Sequence, residues 1–332
     1  MSAPSASYPE SEAFLGPRGG ASVPPPQLRA SVLVVGYNGA SFLPACLDSL
    51  LAMDMPSTAF EMVYIDNASF DASLAIVERC ARQFAHMTIL RNPRNLGFAA
   101  AVNQAAKMAR APILVVLNQD TIVANGWLRQ LIRPLEEEPS VAVVGARVLY
   151  EDGSGLYAGA LEVLYGGVCI AHEWEGRCDA VSACAMAVRR DAFLRLGGFH
   201  EDLFMYGEDL DLCHRARRAG YRIAYAPESI VYHRASRRER AGTRTYVFYM
   251  ARNRTLVCLR NYRRKRLYLL LDLFALFPLT AGMELLRSNR RRRALRWVWE
   301  ARVDSVRRAK EVLRDARSMR KLPERATDPG WD

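Results

Sequence analysis

The sequence lacks several features that would assign it to common protein classes. Its seven cysteines are an odd number with no C-x-x-C pair, which argues against a disulfide framework and a zinc knuckle. We expect reduced thiols and a cytosolic protein, because the first residues also show no secretory signal. No G-x-G-x-x-G follows the first apolar run and there is no Walker lysine, which disfavours a dinucleotide fold and a P-loop.

Long hydrophobic runs are also missing. The most apolar part, residues 267–286, is interrupted by Asp272, Pro278 and Glu284, and its longest uncharged run is residues 273–283. A transmembrane helix needs about 20 largely apolar residues. Two interpretations stay open: a helix or helical hairpin in the membrane interface, between the basic clusters 263–266 and 290–293, or a core helix packed on the body.

Charge is divided unevenly along the chain. Residues 1–233 contain 19 Lys and Arg against 25 Asp and Glu, a net charge of −6; residues 234–332 contain 27 against 10, a net charge of +17. Together they give the net charge of +11. The pattern indicates a mildly acidic body with a cationic tail that meets an anionic partner, either a phospholipid surface or a nucleic acid.

The order of apolar segments predicts an α/β fold. Residues 1–28 are rich in Ser, Pro, Gly and Ala, which predicts a disordered leader. Buried strands then alternate with amphipathic helices, as expected of a Rossmann-like, mostly parallel sheet with flanking helices. The predicted strands are residues 31–35, 61–65, 87–90, 113–117 and 141–148, and the predicted helices are residues 41–52, 69–84, 98–109 and 127–137.

The second half of the chain is less regular. Residues 152–175 show no clear periodicity, and further strands are predicted at residues 184–188, 221–225 and 230–232. A helix is predicted at residues 208–219, and a helical region extends from residue 245 to about 319 with a break near Pro278. We therefore predict a catalytic domain over residues 29–240 and a basic, amphipathic, membrane-associating helical region over residues 241–332.

Polar residues follow four successive predicted strands, at residues 36–39, 66–69, 91–97 and 118–120. Asn, Asp and Gly are common in any turn, so one such strand end means little. Four of them converge on one edge of a parallel sheet, where ligands bind in this architecture. The pattern therefore predicts a nucleotide site at that edge.

These segments resemble the family 2 inverting glycosyltransferases of the GT-A fold, and most closely their rhamnosyltransferase-type members. The matching segments are VVGYNG, YIDNASFD, NPRNLGFAAAVNQA, LNQD, LGGFHEDLFMYGEDLDLCHRARRAGYRI and APESIVYHR, in this order from residue 34 to residue 234. The resemblance implies an enzyme that moves a hexose or deoxyhexose, with rhamnose favoured, from a nucleoside-diphosphate sugar to a glycan or lipid-linked acceptor.

The resemblance also implies roles for individual residues. Asp66 would bind the base or ribose of the donor, and Asp120 and His233 would hold Mg²⁺ or Mn²⁺ on its diphosphate. Asp209, in an acidic pair with Glu208, would be the catalytic base. The other donor-binding residues would be Tyr37, Asn38, Asn95, Gly97 and Asn118.

General chemistry agrees with these roles, although alternatives stay open. A hard cation on carboxylate oxygens can neutralise the leaving diphosphate, and a carboxylate can take the proton of the attacking hydroxyl. Asp209 could instead only cap its helix, with Glu208 or Asp211 as the base, and His233 could be structural. Asn118 replaces the first carboxylate of the family's D-x-D segment, which weakens the expected metal site.

The sequence leaves three further questions. A catalytically degenerate, nucleotide-sugar-binding scaffold at the membrane is the alternative function, supported by Asn118. Tyr249, Arg252 and Asn253 could face the acceptor channel or the donor phosphates, or the aromatic residues could pack while the arginines are solvated. The tail could bind nucleic acid, but no recognised binding module accompanies it, so we expect a peripheral protein on the cytosolic face of an anionic membrane.

Overall fold

A computed structural model describes residues 28–164, 168–173, 178–234, 243–262 and 291–319. The predicted disordered leader and the apolar segment 267–286 lie outside these ranges.

The first half of the chain forms the predicted parallel strands and their crossover helices. Strands β1 to β4 lie in the order β3-β2-β1-β4, all parallel. They are Ala30–Gly36, Phe60–Asp66, Met87–Arg91 and Ile113–Asn118, and the helices between them are α1 (Leu43–Leu51), α2 (Ser73–Ala81) and α3 (Phe98–Met108). Every residue of β1 and β2 is buried, which explains why both strands are apolar over most of their length.

Alternate residues of β1 belong to the two sides of this sheet. Leu33 and Val35 join one apolar cluster, which includes α3, whereas Val32 and Val34 join a second cluster, which includes α1. A strand points successive side chains to opposite faces, so one short strand supplies both layers of the core. The α/β class is confirmed.

The sheet continues with strands of mixed direction. Its second half contains β5 (Thr121–Val123), β6 (Val141–Tyr150), β10 (Ala185–Arg189) and β11 (Arg222–His233), with α4 (Trp127–Glu137) packed against it. Strand β10 is antiparallel to both of its neighbours, β4 and β6, while β6 and β11 are parallel. Strand β5 pairs antiparallel with β11 at the edge.

The region expected to be irregular contains three short strands, β7 (Leu156–Ala158), β8 (Ala160–Leu164) and β9 (Val168–His172). Strand β7 pairs with β6, and β8 with β9. The two extended segments predicted at residues 221–225 and 230–232 form one strand, β11, whose register shifts between Ala226 and Ile230. The shift allows a proline-containing segment to remain within a single strand.

The remaining helical elements come from the second half of the chain. They are α5 (Arg190–Arg195), a 3₁₀ turn (Glu201–Leu203), α6 (Glu208–Arg218), α7 (Arg244–Asn261) and α8 (Arg291–Met319). Helix α7 contacts α6 and α8, so the start of the basic region packs on the body. Among the described helices, none combines the length and the apolar character needed to cross a membrane.

Candidate active site

The strand register brings the predicted donor-binding residues to one edge of the sheet. At the end of β1, Gly36 lies opposite Asp66 of β2, and Val35 lies opposite Asn118 of β4. The carboxylate and the amide therefore flank the same strand end. This is the edge at which open parallel sheets bind their ligands.

The two carboxylate oxygens of Asp66 have different surroundings. Its Oδ2 accepts a hydrogen bond from the Ser69 amide at 3.2 Å. Its Oδ1 is buried and has no hydrogen-bond donor among the described residues. Because a buried polar atom without a partner is costly, this oxygen fits a donor group of a ligand, such as a ribose hydroxyl or a base N–H.

The loop after β1 supports an exposed aromatic edge beside Asp66. The Tyr37 amide donates to Gln119 Oε1 at 3.2 Å, and Gln119 Nε2 donates to the Tyr37 carbonyl at 3.0 Å. The Tyr37 ring stays 42% exposed and meets the Phe70 ring edge-on at 6.3 Å. Asn38, with a left-handed backbone, accepts from the Phe70 amide through its side chain. Tyr37 can border a base, whereas the side chain of Asn38 shapes the loop.

Amide side chains fix the loop after β3. Asn95 Oδ1 accepts from the Gly97 amide at 2.9 Å and from Asn67 Nδ2 at 3.0 Å, and Asn67 Nδ2 also lies 3.2 Å from the Gly97 carbonyl. Gly97 has φ 87°, a conformation that favours glycine. Asn95 and Gly97 therefore set the shape of this loop, and the side-chain oxygen of Asn95 is engaged within it.

Strand pairing explains why Asp120 and His233 lie together although they are far apart in sequence. Thr121 of β5 pairs with His233 of β11, which brings Asp120 Oδ2 to 3.3 Å from His233 Nε2. The Tyr157 ring stacks on the His233 ring at 4.3 Å. Two ligand atoms at right angles on Mg²⁺ lie about 3 Å apart, so the pair fits a divalent cation.

This pair could supply only part of a metal's coordination shell. Within the described ranges, no group of three or more His, Cys, Asp or Glu side chains is arranged to hold a metal ion. Asn118, which replaces a carboxylate of the family pattern, lines the same cavity as Asp120. Diphosphate oxygens and water are hard ligands of the kind that would complete such a shell.

A cavity of about 530 Å³ connects Asp120 to the predicted base. Its wall includes Asn118, Asp120, Glu208 and Asp209, together with residues of α7 and α8. We call it the main cavity. The structure thus brings the predicted metal-binding and catalytic carboxylates to one cavity, which is large enough for a sugar substrate.

Glu208 and Asp209, in the first turn of α6, differ in their surroundings. Asp209 accepts hydrogen bonds from the Ala183 amide at 3.1 Å and the Leu210 amide at 2.7 Å. Burial raises the pKa of Asp209, although these two bonds oppose the rise. Burial, followed by the charge of Asp209, raises the pKa of Glu208 well above its usual range. Glu208 Oε2 is buried without a partner among the described residues. When the two carboxyls hold one proton between them, we therefore assign it to Glu208.

Asp211, one of the alternatives for the base, has a different role. It is fully buried and pairs with Arg215 at 2.8 Å and Arg260 at 3.3 Å. Burial alone would raise the pKa of Asp211, but the two guanidinium groups hold it far below its usual range. Asp211 therefore stays ionised and joins α6 to α7, out of reach of a substrate.

Helix α7 holds the loop that precedes the acidic pair, residues 203–207, which we call the acidic loop. Phe204, Tyr206 and Gly207 all have left-handed backbone conformations, at φ 63°, 67° and 88°. For Phe and Tyr this conformation costs about 1–3 kcal/mol each and needs support from neighbouring groups. Asn253 Nδ2 supplies it, lying within 2.7–2.8 Å of the carbonyl oxygens of Leu203, Met205 and Tyr206.

Arg252 and Tyr249 complete this support. Arg252 is 4% exposed and donates to the carbonyls of Asp202 and Leu203 at 2.6 and 3.0 Å. The Tyr249 ring stacks on Phe204 at 5.1 Å. Arg252 is therefore buried and not solvated. Arg252 and Asn253 bind backbone carbonyls, and Asn253 also lines the main cavity.

Several residues of the site could not be identified from the sequence. Gln119, Phe70 and the Ala183 amide contact predicted site residues, but they belong to turns or to a neighbouring strand end. Nothing in the sequence indicated the positive φ values at Phe204 and Tyr206, because these residue types rarely adopt them. In the sequence, only the aromatic and polar residues of α7 indicated that this region contributes to the site.

Comparisons with known proteins agree with the architecture. The model of the family described as "Glycosyl transferase family 2" matches residues 31–197, just over half of the chain. The chain is similar to the uncharacterized protein y4gI of Sinorhizobium fredii, with 28% identity over 62% of this chain. It spans only 24% of the length of that protein.

Two further proteins, one compared by sequence and one by its solved structure, are also similar to this chain. The N-acetylglucosaminyl-diphospho-decaprenol L-rhamnosyltransferase of Mycobacterium tuberculosis is 27% identical, over 61% of this chain and 75% of that enzyme. The solved structure of a Pyrobaculum calidifontis mannosyltransferase, in complex with GDP-Man and Mn²⁺, aligns with a TM-score of 0.57 at 20% identity, over 88% of this chain and 80% of its own. The likeness confirms the GT-A fold.

The support of the acidic loop by Asn253 can be tested by hydrogen exchange. Replacing Asn253 by Ala removes the donor to three carbonyls, so we expect the amides of residues 203–207 to exchange at least about tenfold faster, since the loss of one buried hydrogen bond costs about 1–3 kcal/mol. Asn261→Ala is the matched control on the same helix, because Asn261 contacts Asp211 and Val257. Equal exchange in the two variants would contradict the assignment.

Proposed function

This chain belongs to glycosyl transferase family 2, and we propose that it is a glycosyltransferase that moves a hexose or deoxyhexose, with inversion, from a nucleoside-diphosphate sugar to a glycan or lipid-linked acceptor. One observation carries the proposal most directly. Asp120 and Asp209 line the same cavity, and His233 lies beside Asp120. The space between the two carboxylates is where a donor sugar would have to lie.

Asp209 is the proposed base. The acceptor oxygen forms a bond to the anomeric carbon as its proton passes to the Asp209 carboxylate. The bond from that carbon to the diphosphate breaks, and the diphosphate oxygen keeps the electron pair. Attack from the side opposite the leaving group inverts the anomeric centre. A raised pKa makes Asp209 a stronger base than an ordinary aspartate, while its two amide hydrogen bonds fix its orientation.

The donor is proposed to lie across the strand ends, with its nucleoside at Asp66 and Tyr37 and its diphosphate near Asp120. Asp120 and His233 would hold Mg²⁺ or Mn²⁺, which when bound neutralises the charge that develops on the leaving diphosphate. Rhamnose is favoured as the sugar because of the rhamnosyltransferase relative, with UDP-hexoses next.

Replacing Asp209 tests the base. We expect Asp209→Asn to lower the rate of donor hydrolysis or transfer by about 10²–10⁴-fold, with donor affinity preserved, because only proton transfer is lost. The wild-type rate should fall as the pH drops through the raised pKa of Asp209, above the range of an ordinary aspartate. This fall in rate at low pH should be absent from the residual activity of the Asp209→Asn variant. A panel of nucleotide sugars, with release of nucleoside diphosphate as the signal, provides the measurement.

Glu208→Gln is the matched control for Asp209→Asn. An amide resembles the neutral acid that we assign to Glu208, so the loss should be much smaller. The reverse order of losses would make Glu208 the base. The complete absence of donor hydrolysis and transfer in the folded wild-type protein would favour a degenerate scaffold, the function that Asn118 alone supports.

Metal dependence can be separated from donor binding. We expect Mn²⁺ to strengthen the binding of dTDP or UDP to the wild type, and Asp120→Ala or His233→Ala to reduce this gain at least about tenfold, because a ligand atom is lost. Asp66→Ala, the control, should weaken binding with and without metal. Calorimetric titration measures both quantities. An undiminished metal effect in Asp120→Ala would remove this residue from the metal site.

We also propose that the protein lies on an anionic membrane surface, at the cytosolic face. Helix α8 exposes three apolar side chains, Leu295, Trp299 and Val306, at 43%, 64% and 62%. Exposed arginines, Arg293 and Arg296, flank Leu295 on this helix. An exposed apolar stripe beside basic residues is typical of helices that lie in a lipid interface.

Vesicle binding tests this location. We expect the full chain to bind anionic vesicles at low salt, and Leu295→Gln to weaken binding by about threefold or more, because an apolar side chain no longer enters the interface. Leu194→Gln, at a leucine of similar exposure on α5, is the matched control. Binding to DNA at the same salt that exceeds binding to vesicles would favour a nucleic-acid partner instead.

A further inference from the structure

Helix α8, near the end of the chain, has one face that belongs to the body of the protein. It packs along α7, and its Val298 lines the main cavity. The buried residues of the helix recur at the spacing of a single helix face. They are Ala294, Val298, Ala301, Ser305 and Val312. The exposed side chains discussed above occupy other positions, so the helix has a packed side as well as a solvent-facing one.

A chain of ion pairs runs from α8 to the residues that lead into the acidic loop. Asp304 Oδ2 lies 3.4 Å from Nη1 of Arg252 on α7 and 3.0 Å from Nε of Arg308 on α8. Arg308 Nη1 lies 3.6 Å from Oδ1 of Asp202. Arg252 itself donates to the carbonyl oxygens of Asp202 and Leu203. Two guanidinium groups therefore connect the Asp304 carboxylate to the backbone and side chain just before the acidic loop.

Arg252 depends on this carboxylate more than a surface arginine would. A buried guanidinium group costs free energy unless a counter-ion accompanies it, and backbone carbonyls satisfy its hydrogen bonds without neutralising its charge. Over the described ranges, Asp304 is the only carboxylate within 4 Å of Arg252. Burial and the charge of Arg308 lower the pKa of the Arg252 guanidinium, whereas Asp304 opposes this effect. Asp304 therefore compensates the charge of the arginine that holds the loop.

A second carboxylate on α8 shows what distinguishes Asp304. Glu300, one turn earlier, also bridges the two helices, because it pairs with Arg244 of α7 at 3.0 Å and with Arg296 of α8 at 2.9 Å. The side chains of Glu300 and Asp304 are almost equally exposed, at 30% and 29%. In the part of the chain that the structure describes, Arg244 makes no hydrogen bond or ion pair with the acidic loop. Glu300 therefore joins α8 to α7 only, whereas Asp304 also reaches the loop through Arg252.

We propose that Asp304, with Arg308 as its partner, is a positioning residue for the transfer reaction, so that α8 completes the active site. Asp304 fixes the guanidinium of Arg252, and Arg252 fixes the start of the acidic loop. The loop in turn leads into Glu208 and Asp209. The importance of this orientation for transfer rests on the proposed function. The link between α8 and the acidic loop does not, because it is a property of the folded chain.

Hydrogen exchange of the full chain tests this link without any turnover. Asp304→Asn removes the charge and nearly keeps the shape, so we expect the amides of residues 203–207 to exchange roughly fivefold faster, because Arg252 loses its counter-ion. The effect is moderate because solvent reaches Asp304. Asp304→Glu keeps the charge and should restore slow exchange. Glu300→Gln, the matched control on the same helix, should leave these amides unchanged.

Kinetics on the same variants separates positioning from a general loss of stability. In Asp304→Asn, kcat for donor hydrolysis or transfer should fall roughly fivefold, because the carboxyls that follow the loop are less well oriented. The affinity for dTDP or UDP should stay within about twofold of the wild type, since Asp66 and Tyr37 lie outside the loop. Asp304→Glu should recover kcat, and Glu300→Gln should not change it. A fall in nucleotide affinity equal to the fall in kcat would contradict a positioning role.

Each remaining outcome supports or overturns the link. Equal exchange of residues 203–207 in Asp304→Asn and Glu300→Gln, or faster exchange spread evenly over the chain, would overturn it. If Asp304→Asn does not fold, Arg308→Gln should speed exchange of the same amides about twofold, and no change there would overturn the link. Unchanged loop exchange in variants with normal turnover would reject this inference and leave the glycosyltransferase reaction intact. Faster loop exchange in a protein that turns over no donor would support the link and reject the proposed reaction.

Discussion

The architecture of the candidate site depends on how the Asn253 amide binds the carbonyl oxygens of the acidic loop. This loop takes a backbone path that Phe204 and Tyr206 would not adopt by themselves, and it leads directly into the two carboxyls at the start of α6. The family-matched segment ends before this loop, and the helix that stabilises it follows. The carboxyls are thus oriented by parts of the chain on both sides of them, through hydrogen bonds to backbone atoms rather than through charge.

Electrostatics then distinguishes the three acidic residues of α6. Asp211 is surrounded by guanidinium groups and is permanently ionised, so its role is to hold α6 and α7 together. Glu208 is buried beside another carboxyl and tends to keep its proton. Asp209 alone combines partial burial, two amide donors and access to the main cavity. Three neighbouring carboxyls thereby acquire three roles from their surroundings, although residue type and spacing are nearly the same.

Most of the parallel half of the sheet could be predicted from the sequence, because its strands appear there as short, largely apolar runs between amphipathic segments. Strand β5 could not, since three residues after a turn show no period, and the strand with which they pair, β11, follows about a hundred residues later. For the same reason the contact between Asp120 and His233 was expected from family resemblance and not from spacing. The roles of Arg252 and Asn253 also could not be predicted, because a helix sequence does not show which carbonyl groups it will meet.

The donor-side loop and the acidic loop interlock at Gly97. A methyl group at this position would come within 2.7 Å of the Phe204 carbonyl oxygen and would also press on the Phe204 ring, in a backbone conformation that already disfavours side chains. Trimming Phe204 would remove the ring but leave the carbonyl. For anyone redesigning donor preference by random mutagenesis, position 97 is therefore closed to variation. Diversity has to be introduced at the exposed aromatic edge formed by Tyr37 and Phe70 or at the residues of α7 that line the main cavity.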